Sequence, residues 1–328
     1  MITRRRLVIA LGAGALSVPF ASFAQQHGKV WRIGVLEWAS MVQNSANLDA
    51  FRQGLREFGY VEPQNLVLEY LSADGRTERF PELASELVRL KVDLILARGS
   101  PATLAAKKTT ATIPIVMTGV GDPVNVGAVG NLAHPGCNVT GLASFTPLLE
   151  PKRLELLKDL IPGLTRVAAL MNMGNPGRVL AWKAIEKAAR PLGIQLELLD
   201  VRKAEDLERA FDAATRQRAG ALLVGQDGFT LANQRTIAEL AAKHRLPAIY
   251  GAGEFVASGG LISYSVSYPP LYYRAASFVN KIFKGAKPGD IPVEQPTKFE
   301  LVINMKTAKA LGVKIPDVIM LRADRVIE

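Results

Sequence analysis

The order of apolar runs and amphipathic segments in this chain is written twice, about 134 residues apart, and that repeat limits what the chain can fold into. The first copy opens with the apolar run Trp31–Leu36. It continues through an amphipathic helix over Leu48–Phe58, a strand over Leu66–Tyr70 and a helix over Pro81–Leu90. A strand over Val92–Ala97, a helix over Pro101–Thr109 and a strand over Ile113–Met117 complete it. The second copy runs Arg166–Met171 (strand), Val179–Leu192 (helix), Ile194–Leu199 (strand) and Ala204–Gln217 (helix). It ends with Ala221–Val224 (strand), Leu231–His244 (helix) and Leu246–Tyr250 (strand). Arg32 and Arg166 are 134 positions apart, Gly59 and Gly193 are 134 apart, and Ile113 and Leu246 are 133 apart.

The strands are short continuous apolar runs, the pattern of a parallel strand covered on both faces. Strand–helix–strand order calls for right-handed crossovers and an open sheet wound on both sides. The expected fold is therefore α/β, with two doubly wound parallel-sheet lobes joined by a hinge. In such sheets ligands bind outside the carboxyl ends of the strands. Two lobes that turn those ends toward each other place the loops after the strands against one solute.

Those loops give the candidate residues. In the first half they are Trp38 and Ser40, then Gly99 and Ser100, then Gly119 and Asp122. In the second half they are Asn172, then Asp227 and Phe229, then Glu254. Gly99-Ser100-Pro101 reads as a helix start, with Ser100 as N-cap and proline at the first helical position. A helix start offers backbone N–H groups and a positive dipole end, which suit a carboxylate. Asp227 and Glu254 are acids at the facing strand ends, able to take an ammonium group by charge-assisted hydrogen bonds. The plainer reading of Asp227-Gly228 is turn chemistry, and of Glu254 a helix-start acid. Trp38, Phe229 and Tyr250 can build a flat apolar wall or belong to the core.

The ends of the chain bound the compartment. Arg4-Arg5-Arg6 is a positive cluster, Leu7–Phe20 an uncharged apolar stretch, and Ser22-Phe23-Ala24 supplies the small residues of a cleavage site. Residues 1–24 thus read as a secretory signal peptide, and the apolar run is too short for a permanent membrane span. The paired arginines leave the general and the twin-arginine export routes both open. Cys137 is the only cysteine, so no intramolecular disulfide forms, and it is far from the cleavage site, so no lipid anchor is expected. The expected product is a soluble, unlipidated periplasmic protein.

Several classes of function are disfavoured. The formal net charge is +10, and it falls by three to +7 without Arg4, Arg5 and Arg6. The remaining Lys and Arg are scattered among Asp and Glu along helices, with no basic cluster interleaved with aromatics, so no nucleic-acid partner is expected. His27, His134 and His244 have no partner at metal-ligand spacing, so no metal site is expected. Gly119-Val120-Gly121 fails as a dinucleotide fingerprint because position 124 is Val, and no phosphate loop or serine elbow occurs. A two-lobed racemase needs one cysteine from each lobe, which Cys137 alone cannot supply. No catalytic residues, no cofactor and no enzymatic activity are expected.

Specific motifs narrow the class. Phe51-Arg52-Gln53-Gly54-Leu55-Arg56-Glu57-Phe58-Gly59-Tyr60, Ile113-Pro114-Ile115-Val116, Gly121-Asp122-Pro123-Val124 and Pro135-Gly136-Cys137-Asn138-Val139-Thr140-Gly141 stand in the first half. The tail carries Lys284-Gly285-Ala286-Lys287-Pro288, Pro292 through Asn304, and Thr307-Ala308-Lys309-Ala310-Leu311-Gly312. In these segments, across nearly the whole mature chain, the sequence resembles the ABC-transporter substrate-binding proteins of the tryptophan- and tyrosine-uptake type, with the type I periplasmic-binding-protein fold. Two departures are Cys137 in place of a glycine, and Tyr264 followed by serine where glycine is usual. The resemblance implies a small-molecule ligand, an amino acid or related carboxylate, gripped between the lobes. It also implies an ABC permease partner in the inner membrane, no cofactor, and a monomer. The lobes implied are 29–143 with 265–297, and 144–264 with 298–328, with chain crossings near 141–145, 263–267 and 297–301. A sensor that reports to a membrane receptor would carry the same lobes and is the alternative reading.

Overall fold

The protein is described by a computed structural model over residues 29–144 and 146–328. The expected signal peptide lies outside the described residues. In the first lobe the strands are β1 (Trp31–Glu37), β2 (Leu66–Ser72), β3 (Leu94–Arg98), β4 (Ile115–Val120) and β5 (Val139–Ala143). They form one parallel sheet in the order β2-β1-β3-β4-β5. In the second lobe β6 (Arg166–Met171), β7 (Gln195–Asp200), β8 (Ala221–Val224), β9 (Ala248–Tyr250) and β10 (Ile262–Val266) repeat that order as β7-β6-β8-β9-β10. The repeat in the sequence is thus a repeat of topology, and each sheet has its switch point between its first and third strands.

Both faces of each sheet are covered, which is why the strands read as continuous apolar runs. Ile33, Val35, Leu94 and Leu96 point into one core of the first lobe, while Leu36, Ile95 and Ala97 point into the other. Val167, Ala169 and Met171 are divided in the same way from Ala168 and Leu170 in the second lobe. The first lobe is covered on one side by α1 (Ser45–Glu57), whose Phe51 and Leu55 are fully buried, and on the other by α2 (Phe80–Arg89) and α3 (Gly99–Thr109). Gly54 lets α1 approach a later helix closely: a Cβ there would lie 2.5 Å from the Tyr273 carbonyl oxygen.

The chain passes between the lobes three times. After β5 it enters α4 (Thr146–Leu160), whose Leu154, Leu157 and Leu160 pack in the second lobe. It then builds α5 (Pro176–Ala189), α6 (Asp206–Arg216), α7 (Gly228–Ala232), α8 (Gln234–Lys243) and α9 (Gly253–Ala257). After β10 it returns to the first lobe as α10 (Tyr268–Phe283), and after Glu294, which bridges to Leu142, it comes back as β11 (Phe299–Asn304). β11 enters from the end at which β10 left, so it pairs with β10 antiparallel within an otherwise parallel second sheet. Ser265 and Val266 sit in this pairing, opposite Glu300 and Phe299. α11 (Met305–Leu311), α12 (Asp317–Met320) and the edge strand β12 (Arg325–Ile327) finish the second lobe.

Two local features differ from the sequence reading. The helix expected over Leu231–His244 is two helices, α7 and α8, broken at Asn233. A capping box between Asp227 and Thr230 starts α7 early, and the Asn233 amide bonds back to the Phe229 carbonyl, which satisfies the break. Ser100 is also not the N-cap of α3. Gly99 opens that helix with φ of +76°, a conformation glycine adopts without strain, and Ser100 is already inside its first turn.

Candidate functional site: the cleft between the lobes

The loops after β1, β3, β6 and β8 surround a cavity between the two lobes, so both switch points face one space. Trp38, Gly99, Ser100, Gly119 and Asp227, five of the residues read from the sequence, line it. The first lobe adds Arg98 and Phe80, and the second adds Asn175, Arg178 and Gln226. Tyr268, at the start of α10, lines it as well.

The lobes are in contact. A Cβ on Gly228 would lie 2.7 Å from the Trp38 Cβ, and one on Gly177 would lie 3.2 Å from the Ser100 Oγ. A Cβ on Gly75 would stand 2.8 Å from the Ala232 Cβ. Glycine at these three places removes the side chain that would hold the lobes apart, and the structure is a closed state.

The polar groups fall into two sets. On the second lobe, Asp227 is 7% exposed. Its Oδ1 accepts from the Thr230 backbone N–H at 2.9 Å, which is the cap bond of α7. Its Oδ2 has no hydrogen-bond partner among the described residues. Burial raises the Asp227 pKa above the ordinary carboxylate value, against the Thr230 N–H, the Arg178 charge and the Asn172 amide, which favour the charged form. Arg178 donates to Glu150 Oε1 at 2.8 Å, and Arg153 approaches the same oxygen at 2.7 Å. Arg153 also donates to the Tyr264 carbonyl at 2.7 Å, so this buried ion cluster ties the floor of the cleft to the strand that leads into a crossing.

On the first lobe, Arg98 is 5% exposed and its guanidinium lies over the rings of Tyr268 at 4.2 Å and Trp38 at 4.8 Å. Its Nη1 donates to Asn44 Oδ1 at 3.2 Å and stands 3.9 Å from Glu37 Oε2, too far for a hydrogen bond. Its Nη2 has no partner among the described residues. Glu37 accepts from the Tyr272 hydroxyl. Burial raises the Glu37 pKa to about 7, although the Arg98 charge pulls it down. Next to Arg98, Gly99 and Ser100 of the first turn of α3 line the cavity.

The other five residues singled out in the sequence do not line this cavity. Ser40 is bound to Gln43 in its own turn. Asp122 caps its own loop through Asn125. Phe229 is 5% exposed and belongs to the core under the second sheet. Glu254 is exposed in the first turn of α9. Asn172 stands behind Asp227, where its Oδ1 accepts from the Gly174 N–H. Arg178 and Tyr268 were not among the strand-end residues read from the sequence, and Arg98 stood there only as the residue ahead of Gly99, with no role given to it. The available signal for Arg98 is a charge set directly at the end of the apolar strand Leu94–Ala97.

The sequence pattern of the family described as ABC transporter substrate binding protein matches residues 32–327, nearly all of the chain. The chain belongs to that family. Its members bind solutes and do not transform them. A tyrosine-binding protein of Clostridioides difficile is 25% identical over 328 residues, covering 96% of this chain and 94% of its own. A Streptococcus pneumoniae protein of the ABC class, solved in complex with L-Trp, is 26% identical. It superimposes with a TM-score of 0.84 over 90% of this chain and 99% of its own. A conserved domain protein of Vibrio cholerae superimposes at 0.86 with 27% identity, over 91% of this chain and all of its own. The substrate-binding family's type I periplasmic fold agrees with the paired lobes described above. Among the described residues no helix is long and apolar enough to cross a membrane.

Proposed function

We propose that this chain is the exported solute receptor of an ABC uptake system, and that its cleft captures an amino acid. One observation carries the reading. Asp227 Oδ2, buried and with no hydrogen-bond partner among the described residues beyond the nearby Asn172 amide and Arg178 charge, lines the same cavity as Ser100 and the first turn of α3. A buried carboxylate oxygen left unpaired is costly, and an ammonium group from the solute removes that cost. The solute's carboxylate meets the α3 N-terminus, where backbone N–H groups and the helix dipole favour an anion. Trp38, Phe80 and Tyr268 supply apolar wall. Similarity to relatives named for tyrosine binding and solved with L-Trp supports an amino acid as the solute class.

Capture works by closure. The lobes separate about the crossings that follow β5, follow β10 and precede β11, which absorb the rotation. The solute favours the closed form because only there do Asp227 and α3 reach it together. Arginine-rich and apolar segments before residue 24 agree with export to the periplasm, where a permease receives the closed protein.

A thermal-shift panel of amino acids tests this. A solute at 100 times its dissociation constant adds about 2.7 kcal/mol of stability. Stabilisation by amino acids, lost in Asp227→Asn, is expected; stabilisation by sugars alone would remove the reading. Deletion of the gene should abolish uptake of the stabilising solute. Intact uptake with a lost transcriptional response would replace the permease with a membrane receptor.

A further inference from the structure

Arg98 has no role in the scheme above, yet it is the most unusual group in the cleft. A guanidinium carries five N–H donors and is almost never buried without anions to meet them. Here it is 95% covered, stacked between Tyr268 and Trp38, with the Tyr272 ring centroid 5.9 Å away. One neutral amide oxygen, from Asn44, accepts from it. The nearest carboxylate oxygen, Glu37 Oε2, stands 3.9 Å off and has no hydrogen-bond partner within bonding geometry among the described residues. Aromatic faces hold a cation by their quadrupoles but accept no hydrogen bond in the plane of the guanidinium. An in-plane donor, Nη2, is therefore left open in a residue that lines the cavity.

The charge balance of the closed cleft points the same way. Arg98, Arg153 and Arg178 are buried beside Glu37, Glu150 and Asp227, each 7% exposed or less. The three positive charges are matched only when all three carboxylates are ionised. Burial works against that at Glu37, held near 7, and at Asp227, which is raised. Glu150 serves two arginines through a single oxygen, and its other oxygen has no hydrogen-bond partner among the described residues. A neutral zwitterion brings one ammonium and one carboxylate, so it leaves the surplus positive charge at Arg98 as it was. A solute with one more carboxylate removes it.

We infer that the open Nη2 of Arg98 is the subsite for a second acidic group, so that this cleft selects an acidic amino acid over neutral aromatic or aliphatic ones. The inference rests on the amino-acid reading of the cleft. It deepens that reading by setting this chain apart from relatives named for tyrosine or solved with L-Trp. Asp227 takes the ammonium, the first turn of α3 takes the α-carboxylate, and Arg98 takes the side-chain carboxylate in its aromatic slot. Because the slot is buried between aromatic rings, that ion pair discriminates strongly between charged and uncharged side chains.

Isothermal titration of the purified protein with L-glutamate, L-aspartate, L-tryptophan, L-tyrosine and L-leucine decides it. The better acidic amino acid should bind about 10- to 100-fold tighter than any neutral one, the range of one charge-assisted hydrogen-bonded pair. Arg98→Met should bring that ratio down toward one, and Arg98→Lys, which keeps the charge, should retain part of it. Circular-dichroism melting shows whether each variant is folded, and the wild-type ratio decides the matter even if Arg98→Met is not. Tryptophan, tyrosine or leucine binding as tightly as the acidic pair would overturn the inference and leave the amino-acid reading standing. Acidic preference persisting in folded Arg98→Met would also overturn it. Binding of none of the five would overturn both.

Discussion

Gly228→Ala is the sharpest perturbation of closure, because it adds a single carbon where the lobes meet. The added Cβ would lie 2.7 Å from the Trp38 Cβ and 2.9 Å from its Cγ, while ordinary contact begins at 3.4 Å. The closed lobes must therefore move apart by about 0.7 Å at this point. The Trp38 atoms involved are tied to the backbone of the loop after β1, so no side-chain rotation relieves the contact. Overpacking of this kind costs about 1–3 kcal/mol, and only in the closed form. With 1.4 kcal/mol per tenfold, solute affinity should fall by about 5- to 150-fold. The open form is untouched, and alanine in the first turn of α7 is a better helix former than glycine, so urea denaturation without solute should show equal or slightly greater stability. Gly177→Ala is the graded control. Its nearest contact is 3.2 Å to the Ser100 Oγ, so its loss should be smaller. Calorimetric titration of both variants, beside scattering profiles with and without solute, measures the two effects. Wild-type affinity in Gly228→Ala would refute the idea that the solute is held by lobes closed this tightly.

Further perturbations act on the buried charges. Glu150→Ala strands Arg153 and Arg178 without their shared carboxylate and should cost about 3–5 kcal/mol in urea denaturation, as breaking a buried ion pair does. Glu37 has a folded pKa raised to about 7 from 4.5, so the folded state binds its proton more tightly than the unfolded chain does. Its contribution is favourable below pH 4.5 and is lost as pH rises to 7, about 3 kcal/mol as an upper figure. Glu37→Gln should flatten the fall in stability between pH 5 and pH 8, and an unchanged pH profile would count against the burial argument. Asp227 is raised too, so solute affinity should weaken on acidification while the pH is still above the ordinary carboxylate range, and titration calorimetry across pH reads this directly.

Much of the fold was legible because it is carried by local pattern. The continuous apolar strands Trp31–Leu36 and Arg166–Met171 announce sheets covered on both faces, and the offset near 134 announces that both sheets have one topology. The direction of β11 was not legible, since it depends on the chain's visit to the first lobe as α10. The split at Asn233 was hidden because the Asp227–Thr230 capping box looks like a turn in sequence.

The site was legible where it follows from the switch points and not where it follows from tertiary contact. Trp38, Ser100 and Asp227 stand after β1, β3 and β8 and reach the cavity. Glu254 follows β9, one strand farther from the switch point, and is exposed. Phe229 points inward because α7 begins at Gly228 and turns it under the sheet. Arg98 is buried only because Trp38, Tyr268 and Tyr272 converge on it from distant parts of the chain, and no local pattern reports that.

A crystal structure of the protein with its stabilising amino acid bound tests the central claim most directly. The account predicts the ammonium within hydrogen-bonding distance of Asp227 Oδ2 and the α-carboxylate on the Gly99–Ser100 turn, with Trp38 still closed on Gly228. A solute bound outside this cleft, or one whose ammonium stands away from Asp227, would contradict it.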